Sequence, residues 1–237
     1  MNYYMTRLPE DELMHYGVKG MKWGVRRARK LQSKANIARD SAKEWDEMAG
    51  YARAKGKVKK ADKYSANAAE DRADAAKYQA KANRKVEKRY AKAGRVAGEA
   101  AFERDKGDQE YKRHNESAKV FDKAAAKYEK QGSYFKAEAS RKSAEALRAR
   151  GENIRAAQYE LADGYLKRSN KLNKKADEFA KSTDINLGKK KVDSILSEWK
   201  KKGYDDAKEW DEINREMETE ELLGSTGYDV YNKLRGK

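Results

Sequence analysis

Residues 28–52 read ARKLQSKANIARDSAKEWDEMAGYA, and within them Ala28, Leu31, Ala35, Ala38, Ala42, Trp45, Ala49 and Ala52 recur at alternating steps of three and four. That step keeps all eight on one stripe of an α-helix. Most of the stripe is alanine, so it predicts a seam at which helix backbones come close, with Leu31 and Trp45 as its large knobs. A second run, Ala144, Leu147, Gly151, Ile154, Gln158, Leu161, Tyr165, Arg168, Leu172, Lys175 and Phe179, keeps the same step. Its polar members Gln158, Arg168 and Lys175 make it a poor two-stranded coiled coil and a better match to the changing neighbours of a bundle.

Composition agrees with helices. Of 237 residues 38% are apolar and 41% charged, and Pro9 is the sole proline, so long Ala/Glu/Lys/Arg-rich stretches meet little that would break them. The scarcity of large aliphatic residues argues against a thick core. Gly56, Gly94, Gly132 and Gly151 follow good helix formers and are expected to cap helix C-termini. Ala52-x3-Gly56-x-Val58, Tyr90-x3-Gly94-x-Val96 and Tyr128-x3-Gly132-x-Tyr134 recur every 38 residues, as hairpins whose first helix ends at the glycine would. The stretches Trp45 to Ala61 and Phe121 to Ala137 resemble the large-small-aromatic pattern of tetratricopeptide-type hairpins, but Ser65 and Arg141 stand where that pattern wants aromatics, and no proline closes either unit. The fold expected is all-α: elongated antiparallel helical hairpins, as a bundle or a TPR-like stack, with a disordered N-terminal arm.

The expected organisation is a flexible docking arm over 1–24, a basic helical-hairpin body over 25–180, a hinge at 181–188, and a small C-terminal helical segment and tail over 189–237. After the hinge, where Ser182 or Asp184 is a candidate helix cap, Val192, Ile195, Leu196 and Trp199 suggest a short amphipathic helix within a small hairpin. Ala207-Lys-Glu-Trp210-Asp-Glu-Ile213 repeats Ala42-Lys-Glu-Trp45-Asp-Glu-Met48 almost letter for letter, which predicts the same Trp-anchored packing in both places. The stretch from Leu222 to Lys237 is a second candidate docking peptide.

Charge is unevenly spread. The net of +16 divides into 0 over residues 1–24, +12 over 25–100, +5 over 101–180 and −1 over 181–237. A surface so basic attracts polyanions, and Lys55, Lys57, Lys59, Lys60 and Lys63, gathered around the expected Gly56 turn, are the candidate contacts to duplex DNA, bound without sequence preference. The alternative is a solvated helix face carrying good helix formers.

Chemistry of another kind is confined to one stretch, His15-Tyr-Gly-Val-Lys-Gly-Met-Lys-Trp-Gly-Val-Arg-Arg27. Three glycines free its backbone, Val18, Met21, Trp23 and Val25 supply apolar contacts, and Trp and Arg are the residue types that dominate binding hot spots. The candidate docking residues are His15, Gly17, Lys19, Gly20, Met21, Lys22, Trp23, Gly24, Arg26 and Arg27. The bland alternative is an arm folded on its own first helix. The stretch resembles a block, His-x-Gly-Ile/Val-Lys-Gly-Met/Gln-Lys-Trp-Gly-Val-Arg-Arg, that recurs near one end of otherwise unrelated head-morphogenesis, minor capsid and other virion-associated proteins of tailed bacteriophages and prophages. Tyr16 stands where that block often has a second histidine and Met21 where it often has glutamine. The resemblance implies a phage setting, in the host cytoplasm and/or the virion, with a capsid, portal or other head protein as partner. Self-association through the alanine seams is a further expectation.

Catalysis draws little from the sequence. Neither histidine, His15 or His114, has a partner at metal-ligand or triad spacing, and His114 reads as a solvated helix residue. Pairs such as Asp105/Asp108 and Glu216/Glu220 are what 40 acids in a helical chain produce, and Gly94-Arg-Val-Ala-Gly98 lacks the rest of a phosphate loop. The absence of cysteine removes disulfides and thiol chemistry. No catalytic residue, metal site or cofactor is expected, nor a membrane span or signal peptide. Two functions stay open: a non-enzymatic, scaffold-like or minor capsid morphogenesis protein, and a head-packaged cargo or DNA-binding protein.

Overall fold

A computed structural model describes residues 23–234, with side chains from 24 to 217. It contains four α-helices, α1 (Trp23–Ala54), α2 (Val58–Lys130), α3 (Tyr134–Thr183) and α4 (Lys189–Leu234), and no strand among the described residues. The fold is all-α. The described residues divide into two compact units, one reaching to Val86 and taking in Glu178–Asn186, the other made of Glu87–Asp177 and the residues from Leu187 onward.

In the first unit α1 runs antiparallel to the start of α2. Arg53 donates to Ser65 Oγ at 2.9 Å, Trp45 stacks on Tyr64 with centroids 5.6 Å apart, and Gln79 donates to Gln32 at 2.9 Å. This register brings Ala49, Ala42, Ala35 and Ala28 level with Ala61, Ala68, Ala75 and Ala82 in turn. All eight are at most 3% exposed and each set repeats every seven residues. Two facing rows of methyl groups need no large side chains to exclude water, which is how a chain poor in Leu and Ile still closes a seam. These alanines are consumed within the hairpin, so a second copy would have to use another surface.

Turns follow one chemistry. At Gly56 (φ 70°) the Gly56 and Lys57 amides donate to Arg53 and Ala52 carbonyls, both at 2.9 Å, and Gly132 (φ 70°) with Ser133 repeats the pattern on Glu129 and Tyr128. Both are Schellman caps, where an αL residue closes the helix end. The third cap uses Asp184 (φ 54°) in place of glycine, its amide donating to Lys181 and that of Ile185 to Ala180. Asp184 therefore ends a helix, and Ser182 lies inside α3 donating to the Phe179 carbonyl, so neither is the expected N-terminal cap.

Gly94 and Gly151 are not caps. Both lie mid-helix in the second unit, where neighbours leave no room for a side chain: a Cβ on Gly94 would stand 2.8 Å from the Leu196 carbonyl, and one on Gly151 2.9 Å from His114 Cβ. Hence α2 passes the expected break at Gly94 and runs unbroken for 73 residues in all, and long paired helices replace a stack of short hairpins. The rest of α2 runs antiparallel to α3, with Tyr90 Oη donating to Asp177 at 2.7 Å and Arg104 paired to Asp163 at 2.7 Å. It runs parallel to α4, Gly94 lying against Leu196 and Lys106 pairing with Asp211 farther along, and between them Arg95 pairs with Asp206 at 3.0 Å and Tyr204 Oη donates to Asp105 at 2.6 Å. Gly98 and Gly203 permit that contact; their Cβ atoms would stand 2.2 Å from the Lys200 and Arg95 carbonyls.

The second seam keeps its seven-residue beat at Ala137, Ala144 and Gly151, then jumps eleven to Ala162 before resuming at Ser169 and Ala176. Leu161, expected inside, is 47% exposed while Ala162 is fully buried. An eleven-residue step shifts the helical phase, and here the shift coincides with a polar knot. Arg155 Nε lies 2.7 Å from Asp108, Tyr159 Oη donates to Asp108 at 3.0 Å, and the guanidinium sits 5.0 Å over the Tyr111 ring. Next to it His114 is buried against Gly151, its Nδ1 2.9 Å from the Glu110 carbonyl; it is not the solvated residue expected, because the glycine makes space for the ring.

Among the described residues the chain forms no hairpin after Gly188. One uninterrupted helix, α4, runs from Lys189 to Leu234.

Candidate functional site

The candidate docking stretch divides at the start of α1. His15, Gly17, Lys19, Gly20, Met21 and Lys22 lie outside the described residues, as does the expected disordered arm to which they belong. Trp23 opens α1, though its side chain is outside the description. From Gly24 onward the block is part of the helix: Gly24 and Arg26 are half-buried and Arg27 is exposed. Val25 (9% exposed) and Ala28 (fully buried) carry the alanine seam back into the block, three residues apart on the same stripe.

One further residue fixes this end. Arg29 Nε donates to the Ser182 carbonyl at 2.7 Å, tying α1 to the C-terminus of α3, whose last carbonyls bear partial negative charge. Nothing distinguishes Arg29 from Arg26, Arg27 or Lys30 in the sequence; its role becomes visible only once the end of α3 stands beside it. Beside this bond is an open cleft of about 420 Å³ lined by Arg29, Gln32, Ser33, Asn36, Ile37, Asp40 and residues 181–184. Thr183 at its base is buried, donating to the Phe179 carbonyl at 2.8 Å, and Ile37 is 56% exposed.

A family model matches residues 6–30. It is described as a family of unknown function, DUF7211, and it covers a small part of the chain, ending where Arg29 and Lys30 meet the body of α1. No curated protein and no solved structure matches the chain. The segment that a family model recognises therefore overlaps the docking stretch and stops about two turns into α1.

The basic candidates lie elsewhere in the same unit. Lys55, Lys57, Lys59, Lys60 and Lys63 are all exposed around the Gly56 cap, and the turn gathers them at one end of the hairpin. Lys55 donates to Tyr51 Oη and sits 4.2 Å over its ring; Lys60 sits 5.7 Å over Tyr64. Tyr51 and Val58 stand 64% and 63% exposed among them. This surface joins positive charge to open apolar area, a combination suited to an anionic partner that also offers apolar contact. Among the described residues, none of the helices is long and apolar enough to cross a membrane.

Proposed function

We propose that this chain is a non-enzymatic structural or morphogenesis protein of a tailed-phage particle, scaffold-like or minor capsid, which docks on a larger capsid, portal or other head protein through residues 15–27. It acts in the host cytoplasm and/or the virion. The observation that carries the reading is the way the block ends: Trp23 to Arg27 run without a break into a helix held by Val25, Ala28 and Arg29, so a partner gripping the block grips a rigid lever on the body. The resemblance of residues 15–27 to virion-associated proteins supports the setting, and the family match over 6–30 supports treating the segment as a unit.

The experiment is capture from infected cells with the full chain as bait, wild type against Trp23→Ala. A hot-spot tryptophan accounts for ~2 kcal/mol or more, so the variant is expected to lose capture while helix content by circular dichroism stays constant. Undiminished capture by Trp23→Ala overturns the docking reading, and a large drop in melting temperature assigns Trp23 to self-packing instead. A second reading, head-packaged cargo or a protein binding DNA without sequence preference, draws on the five exposed lysines around Gly56.

A further inference from the structure

Two nearly identical heptapeptides meet different fates. In Ala42-Lys-Glu-Trp45-Asp-Glu-Met48 the indole is half-buried and stacked on Tyr64 of the facing helix. In Ala207-Lys-Glu-Trp210-Asp-Glu-Ile213 it is 64% exposed. Ile213 and Met217, 39% and 61% exposed, follow on the same face of α4 at steps of three and four. The adjoining side of α4, about 100° around from Trp210, already meets α2 through Lys106 and Asp211. The apolar stripe is thus a helix face with nothing over it in the described structure.

Charge says what covers it. Residues 205–221 hold nine acidic and two basic residues, and Glu209, Glu212 and Glu216 flank the stripe along one edge. At the α1–α2 turn the exposed Tyr51 and Val58 lie among five exposed lysines, with Asp62 the lone acid from 55 to 63. An apolar stripe edged with carboxylates and an apolar patch ringed with ammonium groups are complementary in both respects.

We propose that α4 of one chain, through Trp210, Ile213 and Met217, docks on the lysine-rich α1–α2 turn of a second copy. The two surfaces differ, so the contact is head-to-tail and leaves a free α4 face and a free turn at the ends of every dimer. Such a contact builds a closed ring or an open chain according to its rotation. The proposal goes beyond the docking reading, for it uses no residue of the 15–27 block and stands or falls separately from it.

Sedimentation velocity on nucleic-acid-free full-length protein tests it. At ~50 mM salt the mean mass is expected to rise with protein concentration, and to fall as salt screens the charges. Trp210→Ala should weaken association about tenfold or more, with helix content unchanged. The deciding step is charge exchange: Lys55, Lys57, Lys59 and Lys60→Glu in one variant, Glu209, Glu212 and Glu216→Lys in another. Each alone should stay monomeric, and an equimolar mixture should associate. Wild-type protein that is monomeric throughout the range overturns the proposal, as does association that survives Trp210→Ala. A mixture that fails to restore what both variants lost overturns the head-to-tail pairing in favour of like surfaces meeting.

Discussion

Asp184 is the one non-glycine residue with positive φ among those described, and it occupies the cap position that glycine fills at Gly56 and Gly132. A Cβ in the left-handed region strains against the following carbonyl, at a cost of roughly 1–2 kcal/mol that aspartate partly relieves through local hydrogen bonding. Asp184→Gly is expected to raise stability by about 0.5–1 kcal/mol, measured as a shift in the denaturant midpoint at constant slope. Tyr90 offers a different handle. Burial, reinforced by the hydrogen bond to Asp177 and that carboxylate's negative charge, pushes the Tyr90 hydroxyl up to about 12. A hydroxyl that holds its proton longer in the folded state stabilises fully below pH ~10, where the unfolded tyrosine is still protonated, and that advantage is lost as pH rises towards 12. Wild type should therefore lose about 2 kcal/mol more than Tyr90→Phe between pH 10 and 12, read from paired denaturant titrations. Equal losses would show that the tyrosine does not carry the alkaline transition. The Tyr204 hydroxyl is held above its ordinary range too, chiefly by its bond to Asp105.

Helices meet closely only where small residues let them. Gly203 lies against the backbone of Arg95, whereas Gly164 sits mid-helix with nothing within 4 Å of where a Cβ would be. Gly203→Ala is expected to destabilise by at least 1–3 kcal/mol, since backbone must move, and Gly164→Ala to stabilise by about 0.5–1 kcal/mol through helix propensity alone. Thermal unfolding of the two variants checks the contrast, and similar midpoints would contradict the α2–α4 contact. The same distinction marks what could be read in the sequence. The Ala28 to Ala52 seam was legible because its period is regular and local, and Gly56 and Gly132 because a glycine beside a run of helix formers is a natural stop. Gly94 and Gly151 share that local signal, yet they serve close approach to Leu196 and His114, residues remote in sequence. Leu161 was misplaced because the helical phase shifts after Gly151, where the half-buried Asp108–Arg155–Tyr159 knot lies, and charged residues in a chain 41% charged give no hint of which will pair across helices. Trp210 is the converse case, its motif legible and its partner helix missing. Of the candidate site, the five lysines and their shared turn were readable; Arg29 and its bond to Ser182 were not.

Charge is a property of the whole chain, and its distribution separates the two functional readings. If the excess over residues 25–100 faces DNA, affinity for duplex should be indifferent to sequence and fall steeply with salt, each neutralised phosphate contributing about −0.9 to the slope of log K against log salt. Changing Lys55, Lys57, Lys59, Lys60 and Lys63 to Gln should flatten that slope by roughly four units and leave helix content intact, because all five are exposed and none belongs to the seam. Failure of the wild type to bind duplex at ~50 mM salt would remove the DNA reading and leave the basic turn to a protein partner. The seam itself imposes a rule on how such a chain changes over evolutionary time. Facing alanines seven residues apart in two antiparallel helices act like the teeth of a rack, so an inserted residue in α1 turns every later side chain by 100° and carries lysines into the contact. Seven residues added to α1 and seven to α2 at the matching level would lengthen the hairpin by about 10 Å and keep every tooth engaged. The α1–α2 hairpin is thus a ruler graduated in heptads, free to vary in reach by fixed increments while the basic turn at its end stays unchanged.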